Sequence, residues 1–226
     1  MTDNSLTEEM PRHGTEGRRG RRSRLYGRRF KRPTDLILAI VIMPIVAPMI
    51  GILWLLARRD GGRGFFGHRR IGRDGKPFIC WKIRTMVPDA SERLARHLAE
   101  NPEAAAEWAA GYKLHNDPRV TTLGAVLRRT SLDELPQLWN VLRGDMSFVG
   151  PRPVPEVELA LYGVSRGLYE SVRPGITGLW QITGRNGTTY AERIALDRAY
   201  ISRISLRGDL AILFRTARAV ISPTGL

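Results

Sequence analysis

The sequence predicts an α+β fold that combines a re-entrant membrane helix with a small cytoplasmic domain of helices and a short β-hairpin or sheet. Three observations predict it: a long uncharged apolar segment, an alternating segment folded around a turn, and several stretches with helical spacing. With 226 residues, the chain is long enough for one domain with appendages. We expect a basic disordered arm over 1–32, the membrane helix over 33–60 and the domain over 61–226.

The composition points to anionic partners. The net charge is +14, and residues 1–32 contribute ten basic and four acidic side chains to it. Such an excess suits nucleic acid, anionic lipid or a phosphorylated substrate. Cys80 is the one cysteine, so an intramolecular disulfide is excluded, and no histidine forms a zinc-finger spacing with it.

Residues 36–57 form the apolar segment, which carries no charge over 22 residues. As a helix it would measure about 33 Å, enough to cross a hydrocarbon core. Pro44 and Pro48 predict a kink within it. Both flanks are strongly basic, whereas a spanning helix should show a charge asymmetry. We therefore expect a broken helix that enters and leaves on one face, with an ordinary single span as the alternative.

The hairpin follows the membrane segment. Phe65–Ile71 and the stretch 76–86 are predicted to pair around Asp74-Gly75. Lys82 and Arg84 are two residues apart and so share one face of an extended strand. Helices are predicted over 88–112 with a pause at 101–102, over 154–169, over 189–201 and over 205–221. The last is amphipathic, which suits either core packing or docking on the membrane interface.

The stretch 128–153 carries the chemistry, because it contains adjacent carboxylates, Asp133 and Glu134, among arginines. A structural interpretation is available: Ser131-x-x-Glu134 has the spacing of a capping box that opens a helix. In the functional interpretation, a carboxylate ionised at a helix N-terminus acts as a nucleophile or as a ligand of Mg²⁺. The pattern alone leaves both interpretations open.

Five motifs in register resemble the bacterial sugar transferase family, the monotopic polyprenyl-phosphate phosphoglycosyltransferases. The resemblance covers 31–226, and the motifs are KRPTDLILA with the AP that follows it, RIGRDGKPF, WKIRTM, RRTSLDELPQLWNVLRGDMSFVGPRP and RPGITGLWQITGRN. Within the family, the motifs NDPRVTTLGAVLRR and GLWQITGRN are similar to those of the galactosyl- or glucosyl-phosphate transferases of exopolysaccharide synthesis.

The resemblance implies an enzyme that transfers a sugar-1-phosphate, expected to be hexose-1-phosphate, from a UDP-sugar to undecaprenyl phosphate with release of UMP. The reaction would be the first membrane step of exopolysaccharide or related glycan synthesis, at the cytoplasmic face of the bacterial inner membrane. By resemblance, Asp133 is the nucleophile that forms a phosphosugar-aspartate intermediate, and Glu134 holds Mg²⁺ together with Asp133. Membrane lipids are expected partners, and nucleic acid is not. The resemblance leaves open whether the protein forms a homodimer.

The family breaks its membrane helix at Ser-Pro, where this chain has Ala47-Pro48, so Pro48 and the additional Pro44 would carry the bend. The residues expected to contact substrate or phosphate are Lys82, Arg84, Arg128, Asp145, Arg152, Arg173, Gln181 and Arg185.

Two other classes of function compete with this enzyme. One is a membrane-tethered module that binds nucleic acid or anionic lipid through the basic arm. The other is a scaffold for a polysaccharide-synthesis complex, in which the two carboxylates only cap a helix.

Overall fold

The computed structural model describes residues 25–111, 114–183 and 189–221. The helices are α1 Lys31–Ala57, α2 Ala90–Glu100, α3 Pro102–Gly111, α4 Thr122–Thr130, α5 Gln137–Arg143, α6 Glu156–Leu159, α7 Arg166–Glu170, α8 Leu179–Thr183, α9 Tyr190–Ser202 and α10 Leu206–Ile221. The strands are β1 Phe65–Ile71, β2 Pro77–Ile83, β3 Ser147–Val149 and β4 Gly175–Thr177. The α+β fold with one long apolar helix is confirmed. Most of the predicted arm, residues 1–24, lies outside the described residues.

The helix α1 is continuous through Pro44 and Pro48, without the break that the sequence predicts at these prolines. Together with the π-helical turn Tyr26–Phe30 before it, α1 is long and apolar enough to cross a membrane by length and composition. Ala39 is fully buried against the domain. The opposite face exposes the large apolar side chains of Ile37, Ile40, Val41, Ile45, Ile52 and Leu55. An exposed apolar face of this size suits contact with lipid.

Both ends of α1 are held by the same domain. At the N-terminal end, Asp35 is buried and accepts hydrogen bonds from the Ser147 hydroxyl at 2.8 Å and the Phe148 N–H at 3.2 Å. At the C-terminal end, the Arg84 guanidinium donates to the carbonyl oxygen of Ala57. The helix therefore lies along the domain instead of leading away from it.

A buried carboxylate anchors the segment that precedes α1. Asp209 of α10 accepts hydrogen bonds from the hydroxyls of Tyr26 and Tyr200, each at 2.9 Å, and from the Lys31 ammonium at 2.6 Å. Two opposite charges and two hydroxyls thus satisfy one another away from water. Residues 26–32, which the sequence assigns to the arm, are helical here, and Tyr26 is buried.

The strands β1 and β2 form the predicted antiparallel hairpin, in which Phe66 faces Lys82. Its turn needs positive φ at Asp74 (59°) and Gly75 (70°), two residue types that tolerate this conformation. Asn140 of α5 binds the free edge of β2: its side chain accepts from the Trp81 N–H at 3.0 Å and donates to the Ile79 carbonyl oxygen at 2.7 Å. This amide fixes α5 beside the hairpin.

A second sheet, the parallel pair β3–β4, was not anticipated from the sequence. Its strands have three residues each, too few to show a period, and they pair over a separation of 28 positions. The backbones approach closely, since a Cβ at Gly175 would lie 2.1 Å from the Gly150 nitrogen. The pair joins the GDMSFVGPRP and RPGITG segments.

The prediction of one helix over 154–169 is wrong. Gly163 has φ of 49° and interrupts the segment, which forms α6, a 3₁₀ stretch at Ala160–Ser165 and α7. The four apolar residues used for that prediction are exposed, at Val157, Leu161, Val164 and Leu168.

The amphipathic helix α10 uses its apolar residues on two sides. Ile212 is buried, and Leu213 packs against the same core cluster. Leu210 and Phe214 are exposed instead, at 54% and 71%. Core packing is therefore confirmed for one side of the helix, and docking on the membrane interface stays a prediction for the other.

Candidate active site

The adjacent carboxylates lie in a 3₁₀ turn, Leu132–Glu134, between α4 and α5. Ser131 ends α4 in the left-handed conformation, with φ of 59°, and its side chain caps neither helix. The capping-box interpretation is therefore wrong here. The next α-helix begins at Gln137, six residues after Ser131, with Pro136 as its N-cap residue. Ser131 thus adopts positive φ beside the carboxylates, a conformation that non-glycine residues adopt mainly at helix ends and at functional sites.

Lys82 lies between the two carboxylates. Its ammonium nitrogen is 2.6 Å from Glu134 Oε1, to which it donates a hydrogen bond, and 3.7 Å from Asp133 Oδ2. The strand β2 supplies this lysine, so the hairpin carries the cation to the turn. The cation offsets the repulsion between two neighbouring negative charges.

The environment of Asp133 differs from the one expected for a carboxylate that is kept ionised at a helix N-terminus. The residue is 7% exposed, and burial raises the pKa of its carboxyl. The charge of Lys82 opposes that shift, Glu134 adds to it, and Arg128 opposes it. Arg128 itself donates from Nε to the Thr85 hydroxyl at 2.9 Å. Two cations therefore favour the ionised form of Asp133, as an opposite charge does for a buried acid.

Arg84 is engaged elsewhere. Its guanidinium forms an ion pair with Asp60 and donates to the carbonyl oxygens of Ala57, Arg63 and Met86. The structure therefore separates it from Lys82, although both lie on the same run of extended chain. Its contacts tie the end of α1 to the hairpin.

Arg152 lies beside Trp180, with its guanidinium carbon 5.2 Å from the ring centroid. Arg193 of α9 lies 4.5 Å from the same ring. Trp180 is buried, as expected of a core residue. Within the described part of the chain, the Nε atoms of both arginines and Nε1 of Trp180 are buried without a hydrogen-bond partner. Unpaired buried donors of this kind are suited to an anion.

The sequence patterns do not identify two arginines of this region as candidate site residues. Arg193 lies in α9, whose sequence pattern is typical of an exposed helix. Arg70 of β1 lies 3.9 Å from Glu158, and burial lowers the pKa of its guanidinium, with Arg152 among the groups that add to this shift. His68 and Arg70 are two residues apart and share one face of β1, and this spacing is the sequence signal that could have identified Arg70.

Asp145 and Arg173 form a separate group. Asp145 accepts a hydrogen bond from the Asn140 amide at 3.1 Å, and Arg173 donates from Nε to the Gly144 carbonyl oxygen at 2.7 Å. Both line a polar cavity of about 220 Å³ with Arg73 and Lys76. Gln181 donates to the carbonyl oxygen of Ile176 at 3.3 Å. Arg185 lies outside the described residues.

The carboxylate oxygens of Asp133 and Glu134 are the kind of ligand that a magnesium ion prefers. Among the described residues no group of three or more His, Cys, Asp or Glu side chains is arranged to hold a metal. Mg²⁺ commonly takes only one or two protein carboxylates and completes its shell with substrate phosphates and water. Asp133 and Glu134 offer two such carboxylates, and the Glu134 side chain is 34% exposed.

Comparison with known proteins identifies the family of the chain. The model of the family described as bacterial sugar transferase matches residues 26–223. The chain is 48% identical over 195 residues to an undecaprenyl-phosphate galactose phosphotransferase of Salmonella typhimurium, covering 86% of this chain and 41% of that protein. It is 50% identical over 196 residues to the exopolysaccharide production protein ExoY of Rhizobium meliloti, covering 86% and 87%.

A UDP-glucose:undecaprenyl-phosphate glucose-1-phosphate transferase of Escherichia coli is 38% identical over 201 residues, with 84% and 39% of the two chains covered. The chain thus spans about two fifths of the Salmonella and Escherichia relatives and most of the Rhizobium one. The match covers the whole described fold, including α1, the hairpin and the carboxylate turn. The chain belongs to the bacterial sugar transferase family.

Proposed function

We propose that this protein transfers hexose-1-phosphate from a UDP-sugar to undecaprenyl phosphate and releases UMP, as the first membrane step of exopolysaccharide synthesis. The observation that carries the proposal is the buried Asp133 beside Glu134, with the Lys82 ammonium between them. The names of the relatives support the lipid acceptor and the sugar phosphate.

The proposed reaction has two displacement steps. An oxygen of Asp133 attacks the β-phosphorus of the UDP-sugar, the bond from that phosphorus to the oxygen bridging the two phosphates breaks, and UMP leaves with that oxygen. An oxygen of undecaprenyl phosphate then attacks the same phosphorus, the bond to Asp133 breaks, and the carboxylate is regenerated. A covalent intermediate of this kind divides one difficult exchange into two easier steps.

The neighbours of Asp133 have distinct proposed roles. Lys82 and Arg128 favour the ionised form of the nucleophile, and the ammonium also stabilises negative charge that develops on the phosphoryl oxygens. Glu134 would hold Mg²⁺ with Asp133, and the ion, when bound, supplies neutralisation of the diphosphate charge. Arg152, with its unpaired Nε, is proposed to contact a phosphate.

Asp145, Arg173, Gln181 and Arg185 stay predicted substrate contacts. The Arg84 guanidinium already contacts Asp60 and the Ala57 carbonyl oxygen, so we propose that Arg84 positions the end of α1. Membrane lipids are proposed partners, and the homodimer stays a prediction.

We also propose that the protein is monotopic, with both ends of α1 at the cytoplasmic face of the inner membrane. The contacts of Asp35 and Ala57 with one domain support this topology. The test places single cysteines at Arg28 and Arg63, which are exposed on either side of α1, in a Cys80→Ala background. We expect an impermeant maleimide to label neither position in intact cells and both after permeabilisation. Labelling of one position alone in intact cells would establish a spanning helix.

The activity is tested with the purified full chain in detergent. The protein is incubated with Mg²⁺, undecaprenyl phosphate and, one at a time, UDP-galactose, UDP-glucose and other UDP-sugars, and UMP is measured. We expect turnover with one hexose and its dependence on the lipid phosphate. The absence of UMP with every sugar would favour the scaffold or the anion-binding module.

A further inference from the structure

An apolar groove separates α1 from α5. Its volume is about 380 Å³, and its walls are Met43, Ala47, Ile50, Phe65, Trp81, Pro136, Trp139 and Arg143. All of these side chains are apolar except Arg143. Trp139 is 55% exposed and Phe65 38% exposed, so two large aromatic side chains border the opening. Exposed aromatic residues around one concave surface are typical of a binding site.

The groove follows two helices. From α1 it takes residues 43, 47 and 50, and from the segment of α5 it takes residues 136, 139 and 143. Both sets have the spacing of one helical face over two turns, so each wall is about 10 Å long. Because α1 is long and apolar enough to cross a membrane, one wall of the groove belongs to the segment that we propose to contact lipid.

One end of the groove reaches the candidate active site. Pro136 is two residues beyond Glu134, and Trp81 directly precedes Lys82. The alternating strand sends Lys82 to the carboxylates and Trp81 to the groove. A ligand with an anionic head at Lys82 could therefore place an attached apolar chain along Trp81 and Trp139. No polar side chain of the groove other than Arg143 interrupts that path.

We propose that this groove binds the first isoprene units of the lipid phosphate acceptor. The inference rests on the proposed function and names where the acceptor lies. A dry apolar cavity of about 150 Å³ accommodates benzene, so the groove has room for about two or three five-carbon units. The anionic head beside the cations and the apolar chain between two apolar walls, one of which belongs to α1, match one amphipathic ligand.

The first experiment measures how strongly the enzyme distinguishes acceptors by chain length. The variants Ala47→Trp, which fills the groove, and Trp139→Ala, which removes a wall, are compared with Ile45→Trp, whose position on the outer face of α1 is 70% exposed. In wild type and in Ile45→Trp we expect kcat/KM for undecaprenyl phosphate to exceed that for geranyl phosphate. Both groove variants should reduce this ratio about tenfold or more and leave the KM for the UDP-sugar unchanged.

The second experiment does not require turnover, so its failure differs from a failure of the proposed function. Trp81 and Trp139 are intrinsic probes in the groove, and undecaprenyl phosphate is titrated into the full chain while tryptophan fluorescence is recorded. We expect saturable binding in wild type and Ile45→Trp and weakened binding in Ala47→Trp. If circular dichroism shows that Ala47→Trp does not fold, the affinity of Trp139→Ala for undecaprenyl phosphate is compared with that of wild type instead.

Three outcomes would overturn the proposal. The first is an unchanged chain-length ratio and affinity in a folded groove variant. The second is equal binding of a phosphatidylglycerol lipid, which would mark a general lipid contact. The third is a changed oligomeric state in the groove variants with unchanged acceptor affinity, which would make the groove an interface between copies.

Discussion

Replacing Asp133 with Asn is expected to lower kcat by about 10⁴-fold or more, because the amide cannot form the proposed acyl phosphate. The substitution keeps the shape of a side chain that is 7% exposed, so the fold should be retained. Release of UMP from a UDP-sugar in the presence of Mg²⁺ and undecaprenyl phosphate is the measurement.

The matched control is Asp89→Asn, the same chemical change at an exposed carboxylate that pairs with Arg93 on α2. A surface ion pair of this type contributes little to stability and lies away from the candidate site, so turnover should equal that of wild type. Turnover of Asp133→Asn within a few-fold of the control would show that the carboxylate is not the nucleophile.

Replacing Lys82 with Met is expected to lower kcat/KM by about 10²- to 10³-fold, the usual cost of removing one preorganised donor. The change also has a pH signature. The charge of Lys82 lowers the pKa of Asp133, whereas burial raises it. Without the charge that pKa rises further, so less of the nucleophile is ionised at a given pH. The acid limb of the profile of kcat/KM against pH should therefore move to higher pH.

Lys82→Arg is the control, since it keeps the positive charge and loses only the geometry of a single ammonium. Its acid limb should stay where the wild type has it, even where the rate is reduced. An acid limb that does not move in Lys82→Met would mean that the ammonium does not control the ionisation of Asp133.

Local patterns predicted the elements that depend on local chemistry. The turn residues Asp74 and Gly75 between alternating segments predict the hairpin, and the predicted bounds of β1 agree with the observed ones. The apolar segment predicted α1, since its length and lack of charge are visible without any contact. The β3–β4 pair could not be seen, because short parallel strands depend on partners far along the chain.

The candidate site shows the same division. The pattern located Asp133, Glu134 and Lys82, and the structure brings these three together. It could not show that Ser131 adopts positive φ, because the spacing of a capping box is identical whether or not the helix forms. Nor could it show that Arg84 is bound at the end of α1, since strand alternation sets a face but not a partner.

The central claim is that Asp133 becomes covalently linked to the sugar phosphate. The most direct test is mass spectrometry of the intact full chain after incubation with the UDP-sugar and Mg²⁺ in the absence of lipid phosphate. We predict a mass increase of one hexose phosphate that maps to the peptide containing Asp133 and disappears when undecaprenyl phosphate is added. An active preparation that releases UMP only when the lipid is present, and never gains that mass, would contradict the two-step mechanism.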